Sequence, residues 1–257
     1  MKETYKANLF IVECLTNLHV GTGDVNFNIV DQEVEKDISG YPIIHASGVK
    51  GAFRDAYKGE NSERDKIFGK SGENNTNIPG AYKFFDAKFL SRPLRVGLNA
   101  QCAYILTTTI PAINEYIEAL NAFGIHTDLK KIEIEFPNDV EFLVCGDICN
   151  IEGSTAIASV EDFLDSSQID NLKQLIGNNF AIVCDINEYD LPIIARNKLD
   201  ELGKSDNLWY EEYVPHHSKF WLIVLSPNGE FVLDIDSPIQ FGGNASVGFG
   251  YTRVTKM

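Results

Sequence analysis

The chain has 257 residues, with 37 acidic and 22 basic side chains and a formal net charge of −15. A composition 44% hydrophobic and 23% charged excludes wholesale disorder, and the length suits one elaborated domain or two small ones. No apolar run approaches the ~20 residues of a membrane span and MKETYKANLFIVEC lacks a signal-peptide pattern, so a soluble, cytoplasmic protein without a membrane partner is expected.

Residues 5–15 alternate and are rich in Leu, Phe, Ile and Val, which predicts a strand. A loop with Gly21 and Gly23 follows, then a polar strand or hairpin arm over 29–36 and a turn over 39–42. Ser47 can cap a helix running to about Lys58, with Val49, Ala52, Phe53 and Ala56 on one face. Residues 59–80, dense in Gly, Asn and Ser, read as loop. Strands are expected over 82–90 and 100–109, flanking SRPLRVG, and a helix over 112–123 after Pro111. Short strands at 132–136 and 141–145 precede an acidic amphipathic helix over 160–175. Strands are expected at 180–185 and 219–225, 192–208 is ambiguous, and a glycine-rich loop feeds a closing strand. Strands with helices between them give a mixed α+β fold. With no repeat and no linker, one domain with insertions is expected across residues 1–257.

Charge is distributed unevenly. Residues 133–190 hold 13 acids and one base, Lys173. Two stretches go the other way: Lys50, Arg54 and Lys58 within 41–58, and Lys83, Lys88, Arg92 and Arg95 within 82–96. A polyanion feels local potential over roughly 8–10 Å, so an acidic total permits RNA on a basic face without demanding it. The five cysteines are scattered; Cys145 and Cys149 form a single CxxxC with no second pair at zinc-finger spacing, so free thiols and no structural zinc are expected. Gly69-Lys70-Ser71 ends like a Walker A loop, but Arg64 stands where its first glycine belongs. The glycines of 242–250 do not make GxGxxG, and no GxSxG or HExxH is present. Kinases, dinucleotide enzymes, α/β-hydrolases and zincins fall away.

Three segments remain. The first runs from Leu18-His19-Val20-Gly21-Thr22-Gly23 through Ile29-Val30-Asp31 to Gly40-Tyr41-Pro42-Ile43-Ile44-His45-Ala46-Ser47-Gly48-Val49-Lys50-Gly51-Ala52-Phe53-Arg54. The second is Asn207-Leu208-Trp209-Tyr210-Glu211-Glu212-Tyr213-Val214-Pro215, and the third is Gln240-Phe241-Gly242-Gly243-Asn244 with Val247-Gly248-Phe249-Gly250-Tyr251. Glycine clusters let a backbone approach phosphates and offer amide donors. Small residues with Lys50 and Arg54 at the start of a helix would add the helix dipole to two cations, a phosphate seat.

In this order the segments resemble the RAMP superfamily of CRISPR-associated proteins, and more closely the backbone subunit of type III-B (Cmr) effector complexes, the fourth Cmr subunit. The resemblance spans roughly residues 5–110 and 190–255. His45-Ala46 stands where that family has Pro-Gly, and Gly48 where it has Ser. The resemblance implies a ferredoxin-like (RRM-type) core with insertions at about 59–80, 111–180 and 185–214, including a thumb-like β-hairpin. It implies copies assembled as a filament along guide RNA with other type III subunits, and cleavage of complementary target RNA by a metal-dependent endoribonuclease, with Mg²⁺ the expected ion. Asp31 carries over as cutting residue and metal ligand, with His19 and Glu211 as candidates to assist. Lys50, Arg54 and Ser47, with Gly242, Gly243, Asn244, Gly248 and Gly250, are expected to contact guide RNA. Trp209 and Tyr210 read as packing residues. A non-catalytic scaffold and a stand-alone, metal-free RAMP ribonuclease that trims guide precursors remain as alternatives.

Overall fold

Ten residues with an apolar stripe on each face make the first strand, β1 (Tyr5–Cys14), which is buried from Asn8 to Val12. The computed structural model describes residues 5–23, 30–71, 77–97, 102–148, 150–227, 231 and 238–257. After β1 come β2 (Ile43–Ile44), α1 (Ala46–Ala56), α2 (Asn61–Phe68) and the short strands β3 (Gly69–Ser71), β4 (Asn77–Pro79) and β5 (Lys83–Phe84). The chain continues through β6 (Ala87–Arg95), β7 (Tyr104–Thr109), α3 (Ile110–Ala122), β8 (Phe142–Cys145), β9 (Ile157–Ser159), α4 (Ser166–Leu175) and β10 (Phe180–Val183). It ends with β11 (Ile193–Leu199), β12 (Ser205–Glu212), β13 (Lys219–Pro227), β14 (Ile239–Gln240) and β15 (Tyr251–Lys256). The fold is therefore mixed, rich in strands and sparing in helices, as expected. Among the described residues no helix is long and apolar enough to cross a membrane.

Two compact units emerge, each built from separate stretches of chain. The first comprises Met1–Lys88, Leu191–His216 and Trp221–Met257. Its sheet has the order β14-β15-β1-β13, with β5 antiparallel to β13. β15 lies antiparallel to β1 in the register Val12↔Val254, so the two ends of the sequence are paired strands. α1 covers this sheet through Phe53, whose ring meets Phe10 at 5.9 Å, Phe84 at 5.8 Å and Phe241 at 6.1 Å. Each such ring, fully buried, contributes about 1.5–3 kcal/mol. β11 and β12 form a separate two-stranded antiparallel ribbon, pairing from Ile193↔Glu212 to Leu199↔Ser205.

The second unit comprises Phe89–Asp190 and His217–Phe220. Its strands run in the order β6-β7-β10-β8-β9, with β7 parallel to β10 and β8 parallel to β9. α3 buries Ile113, Tyr116, Ile117 and Leu120; its first turn is capped by Thr109, whose hydroxyl accepts from the Ala112 amide at 3.2 Å.

Several expectations change. The expected loop at 59–80 contains α2 and the β3–β4 hairpin, because Ile67 and Phe68 are buried and Phe68 stacks on Phe84 at 5.4 Å. Two apolar residues in eight give almost no periodicity to read. The expected strand at 132–136 is irregular: the Asn114 side chain donates to the Ile132 carbonyl at 2.9 Å and accepts its amide at 2.8 Å, taking the place of a neighbouring strand. The helix expected over 160–175 is a 3-10 turn (Val160–Asp162) followed by α4, which starts afresh where Asp165 caps the Gln168 amide at 2.8 Å. SRPLRVG is no spacer: Ser91–Arg95 belongs to β6, and Arg92 pairs with Thr107.

Candidate nucleic-acid interface

Every residue of the expected site lies in the first unit. The segment carrying Asp31 docks on β12. The amides of Asp31 and Gln32 both donate to the Tyr210 carbonyl, at 3.1 and 3.2 Å, and the Glu212 amide donates to the Gln32 carbonyl at 2.9 Å. The Tyr210 amide returns a bond to Asp31 Oδ2 at 2.8 Å. That bond fixes the carboxylate's orientation, and the second oxygen has no hydrogen bond to a described residue. Ile29 and Cys149 lie outside the described residues.

His19 is 6% exposed, and its Nδ1 lies 2.7 Å from the Glu212 carbonyl. A carbonyl only accepts, so Nδ1 is the donor, and in the neutral tautomer with that proton Nε2 is the acceptor. A methyl on Gly21 would come within 2.8 Å of Nε2, so glycine at this position leaves that nitrogen open. His19, Gly21, Thr22, Gly23, Gln32, Glu33 and Gly243 line a pocket of about 230 Å³. The pocket thus begins one residue from Asp31.

The terminal glycine loop reaches this place from the other end of the sequence. The Gly243 amide donates to the His19 carbonyl at 2.9 Å and the Gly250 amide to the Asn17 carbonyl at 2.7 Å. At Gly242, with φ +71°, an added Cβ would lie 2.2 Å from the His19 carbonyl oxygen, so the approach requires glycine. The Gly248 amide donates to Ala245. The amides of Gly243, Gly248 and Gly250 therefore hold the loop together instead of facing an anion. Of these glycines, Gly242 and Gly250 are required by close backbone approach.

Glu211 is 2% exposed and accepts three bonds: from Trp209 Nε1 at 2.7 Å, from Asn244 Nδ2 at 2.9 Å and from Arg196 Nε. The Arg196 guanidinium also lies over the Phe249 ring, 4.6 Å from its centroid. Glu212 accepts from the Val34 amide and Lys36 Nζ, both at 2.9 Å. Arg196 and Glu212 were not singled out in the sequence. The alternation of 193–199 and 205–212 about Gly203 was the available signal, but several residues on the ribbon's other face are exposed, which blurs the pattern.

α1 carries Lys50, half-buried, and Arg54, exposed. It starts at Ala46, one residue before the expected cap, so Ser47 stands inside the first turn and is exposed. The capping role belongs to Asp86, whose Oδ1 accepts the Ala46 amide at 2.7 Å. A carboxylate already occupies the positive end of this helix, so the phosphate seat expected there reduces to the two side chains. The basic stretch 82–96 is likewise engaged. Lys88 pairs with Asp37 at 3.2 Å, Arg95 with Glu152 at 2.9 Å, and Arg92, 4% exposed, donates to the carbonyls of Ile186, Tyr189 and Asp190.

Among the described residues no three His, Cys, Asp or Glu side chains gather as a metal cage. Among the described residues the carboxylates at hand are Asp31 itself and Glu33 of the pocket lining. They suit the pattern in which one or two carboxylates plus substrate phosphates and waters complete a magnesium shell.

A curated relative from Pyrococcus furiosus, the CRISPR system Cmr endoribonuclease Cmr4, is 25% identical over 97% of this chain and 95% of its own length. A chain from the cryo-EM structure of the type III-B Cmr-beta complex bound to cognate target RNA superposes with a TM-score of 0.74 at 18% identity, covering 100% of this chain and 98% of that one. Oligomeric Cmr4 from Pyrococcus furiosus superposes with a TM-score of 0.69 at 21% identity, covering 98% of both chains. The model of the RAMP superfamily matches residues 11–253. The loop at His19, the segment of Asp31 and Gln32 and the terminal glycine loop, which meet beside one pocket, are thus parts of a chain that belongs to the RAMP superfamily.

Proposed function

We propose that this chain is the backbone subunit of a type III-B CRISPR effector, assembling in copies along guide RNA with other type III subunits and cleaving complementary target RNA at Asp31. The single observation that carries the reading is that Asp31, fixed on β12, adjoins a pocket lined by His19, Gln32 and, from the terminal glycine loop, Gly243. The Cmr4 relative named an endoribonuclease and the oligomeric and target-RNA-bound structural neighbours support it.

RNA carries its own nucleophile, the 2′-OH, so the protein's task is to align that oxygen in line with the scissile phosphate. Asp31, held through Oδ2 by Tyr210, presents its other oxygen to accept the proton. His19 Nε2, open on the pocket, accepts a hydrogen bond from a ribose hydroxyl seated there. Glu211 is saturated by its three donors and acts by holding β12. Should a magnesium ion take part, Asp31 would hold it, and the ion would neutralise phosphate charge. In this reading the first unit's sheet with α1 is the ferredoxin-like core. The β11–β12 ribbon is the thumb, its exposed Leu199, Leu202 and Leu208 apt to press against a duplex. Lys50 and Arg54 face guide phosphates.

Substitution Asp31→Ala tests the reading in the complex reconstituted with guide RNA. Expected is loss of target cleavage by at least about a hundredfold, with assembly and target binding unchanged. Full cleavage by this variant overturns it; a wild-type complex that binds target without cutting supports a scaffold instead. Cleavage is also expected to stop in EDTA and return with magnesium, whereas persistence in chelator favours a histidine-based, metal-free ribonuclease.

A further inference from the structure

The irregular segment bearing Asp31, tied to β12 by a single bridge at Gln32, adjoins a carboxylate the proposed chemistry does not use. Gln32 bridges Glu211 in parallel register, and the peptides of Tyr210 and Glu212 on either side of Glu211 make all four bonds that hold Asp31 and Gln32. The Glu211 side chain accepts from Trp209 of its own strand through Oε1, and through Oε2 from Asn244 of the glycine loop and Arg196 of β11. A second tie runs parallel to it: Gly243 donates to the His19 carbonyl, and His19 donates to the carbonyl of Glu212. The terminal loop thus grips two consecutive residues of β12, and among the described residues it is β12 that holds the Asp31 carboxylate.

From this we infer that Asn244 and Arg196 are positioning residues, which act through Glu211 to keep β12, and with it Asp31, in the register that cleavage requires. The inference rests on the reading of Asp31 as the cleavage carboxylate. Asn244 has φ +62° and ψ 27°, a left-handed conformation that asparagine tolerates and glycine adopts freely. Its side chain can therefore be removed by substitution with glycine without straining the loop. Arg196 supplies charge as well as a donor, and its stacking on Phe249 leaves it little freedom to follow a displaced Glu211. Withdrawal of either donor leaves a buried carboxylate short of a partner, which it regains only by moving. A shift of about 1 Å at a reacting group is worth up to a hundredfold in rate.

The test compares Asn244→Gly, Arg196→Ala and Arg196→Lys with wild type and Asp31→Ala in the complex reconstituted with guide RNA and complementary target. Expected for Asn244→Gly and Arg196→Ala is a fall of roughly tenfold or more in the single-turnover cleavage rate at saturating target. Target affinity and assembly on the guide should stay within about twofold of wild type, and Arg196→Lys should recover much of the loss. A double variant, Asn244→Gly with Glu211→Gln, should be no slower than the slower single. Wild-type rates in both Asn244→Gly and Arg196→Ala, with Asp31→Ala inactive, overturn the inference. So does a loss of rate that merely tracks lost assembly or thermal stability. Cleavage by Asp31→Ala overturns the reading beneath it, and separates that failure from this one.

Discussion

At Gly250 the backbone has φ +81°, and a Cβ there would lie 1.9 Å from the Phe241 carbonyl oxygen. Gly243, three residues from β14 in the same loop, has no such φ and only ordinary contacts at 3.9 Å. Two glycines alike in sequence therefore differ in what they do. Gly250→Ala is expected to lower stability by about 1–3 kcal/mol through forced strain, and Gly243→Ala to stay within about 0.5 kcal/mol; urea denaturation of the two variants distinguishes them. The same scale corrects the view of the arginines. Arg92, one of seven cations singled out by charge, is an interior strut for three carbonyls, whereas Arg196, which drew no notice, meets Glu211. Charge alone does not reveal whether a guanidinium faces a carbonyl, a carboxylate or solvent.

At the scale of elements, helix ends decided where sequence reading held. Pro111, suited to a first turn, marks the start of α3, which begins at Ile110, two residues before the expected Ala112. α1 has no local cap: Asp86, forty residues away in sequence, closes its first turn. α3 also carries a titratable probe of its packing. Burial pushes the Tyr116 hydroxyl up to about 12 from its ordinary 10. The neutral phenol is favoured in the folded chain, so this contribution to stability is complete below about pH 10 and is lost as pH rises toward 12. Tyr116→Phe should remove that part of the alkaline decline, roughly 2 kcal/mol across the window. Urea unfolding at pH 9 to 11.5 measures it, with ring absorbance reporting ionisation.

For the whole molecule the acidic surplus has a definite address. The second unit holds sixteen carboxylates against six lysines and arginines, while the pocket, Lys50 and Arg54 belong to the first. A net charge of −15 therefore says little about the surface that matters. If Lys50 and Arg54 meet guide phosphates, the double substitution to Ala lowers guide affinity. It should also reduce the slope of log affinity against log salt by roughly 1.4, two contacts on a single strand. An unchanged slope would move the RNA elsewhere.

Strand periodicity, the proline that opens α3 and the ordered glycine, histidine and aspartate motifs were legible in the chain, because each rests on neighbours within a few residues. So was the family, since its motifs keep their order across both ends. The helix in 59–80, the ribbon at 193–212, the capping of α1 and the saturation of Glu211 were not. α2 rests on the stacking of Phe68 on Phe84, and the start of α1 on Asp86, forty residues away. Glu211 rests on Arg196 and Asn244, fifteen and thirty-three residues away. Such contacts leave no period or spacing to read, and exposed residues on the ribbon blur its alternation. The grip of the C-terminal loop on His19 belongs to that second kind, and it exists because β15 pairs with β1 and carries Gly250 to Asn17.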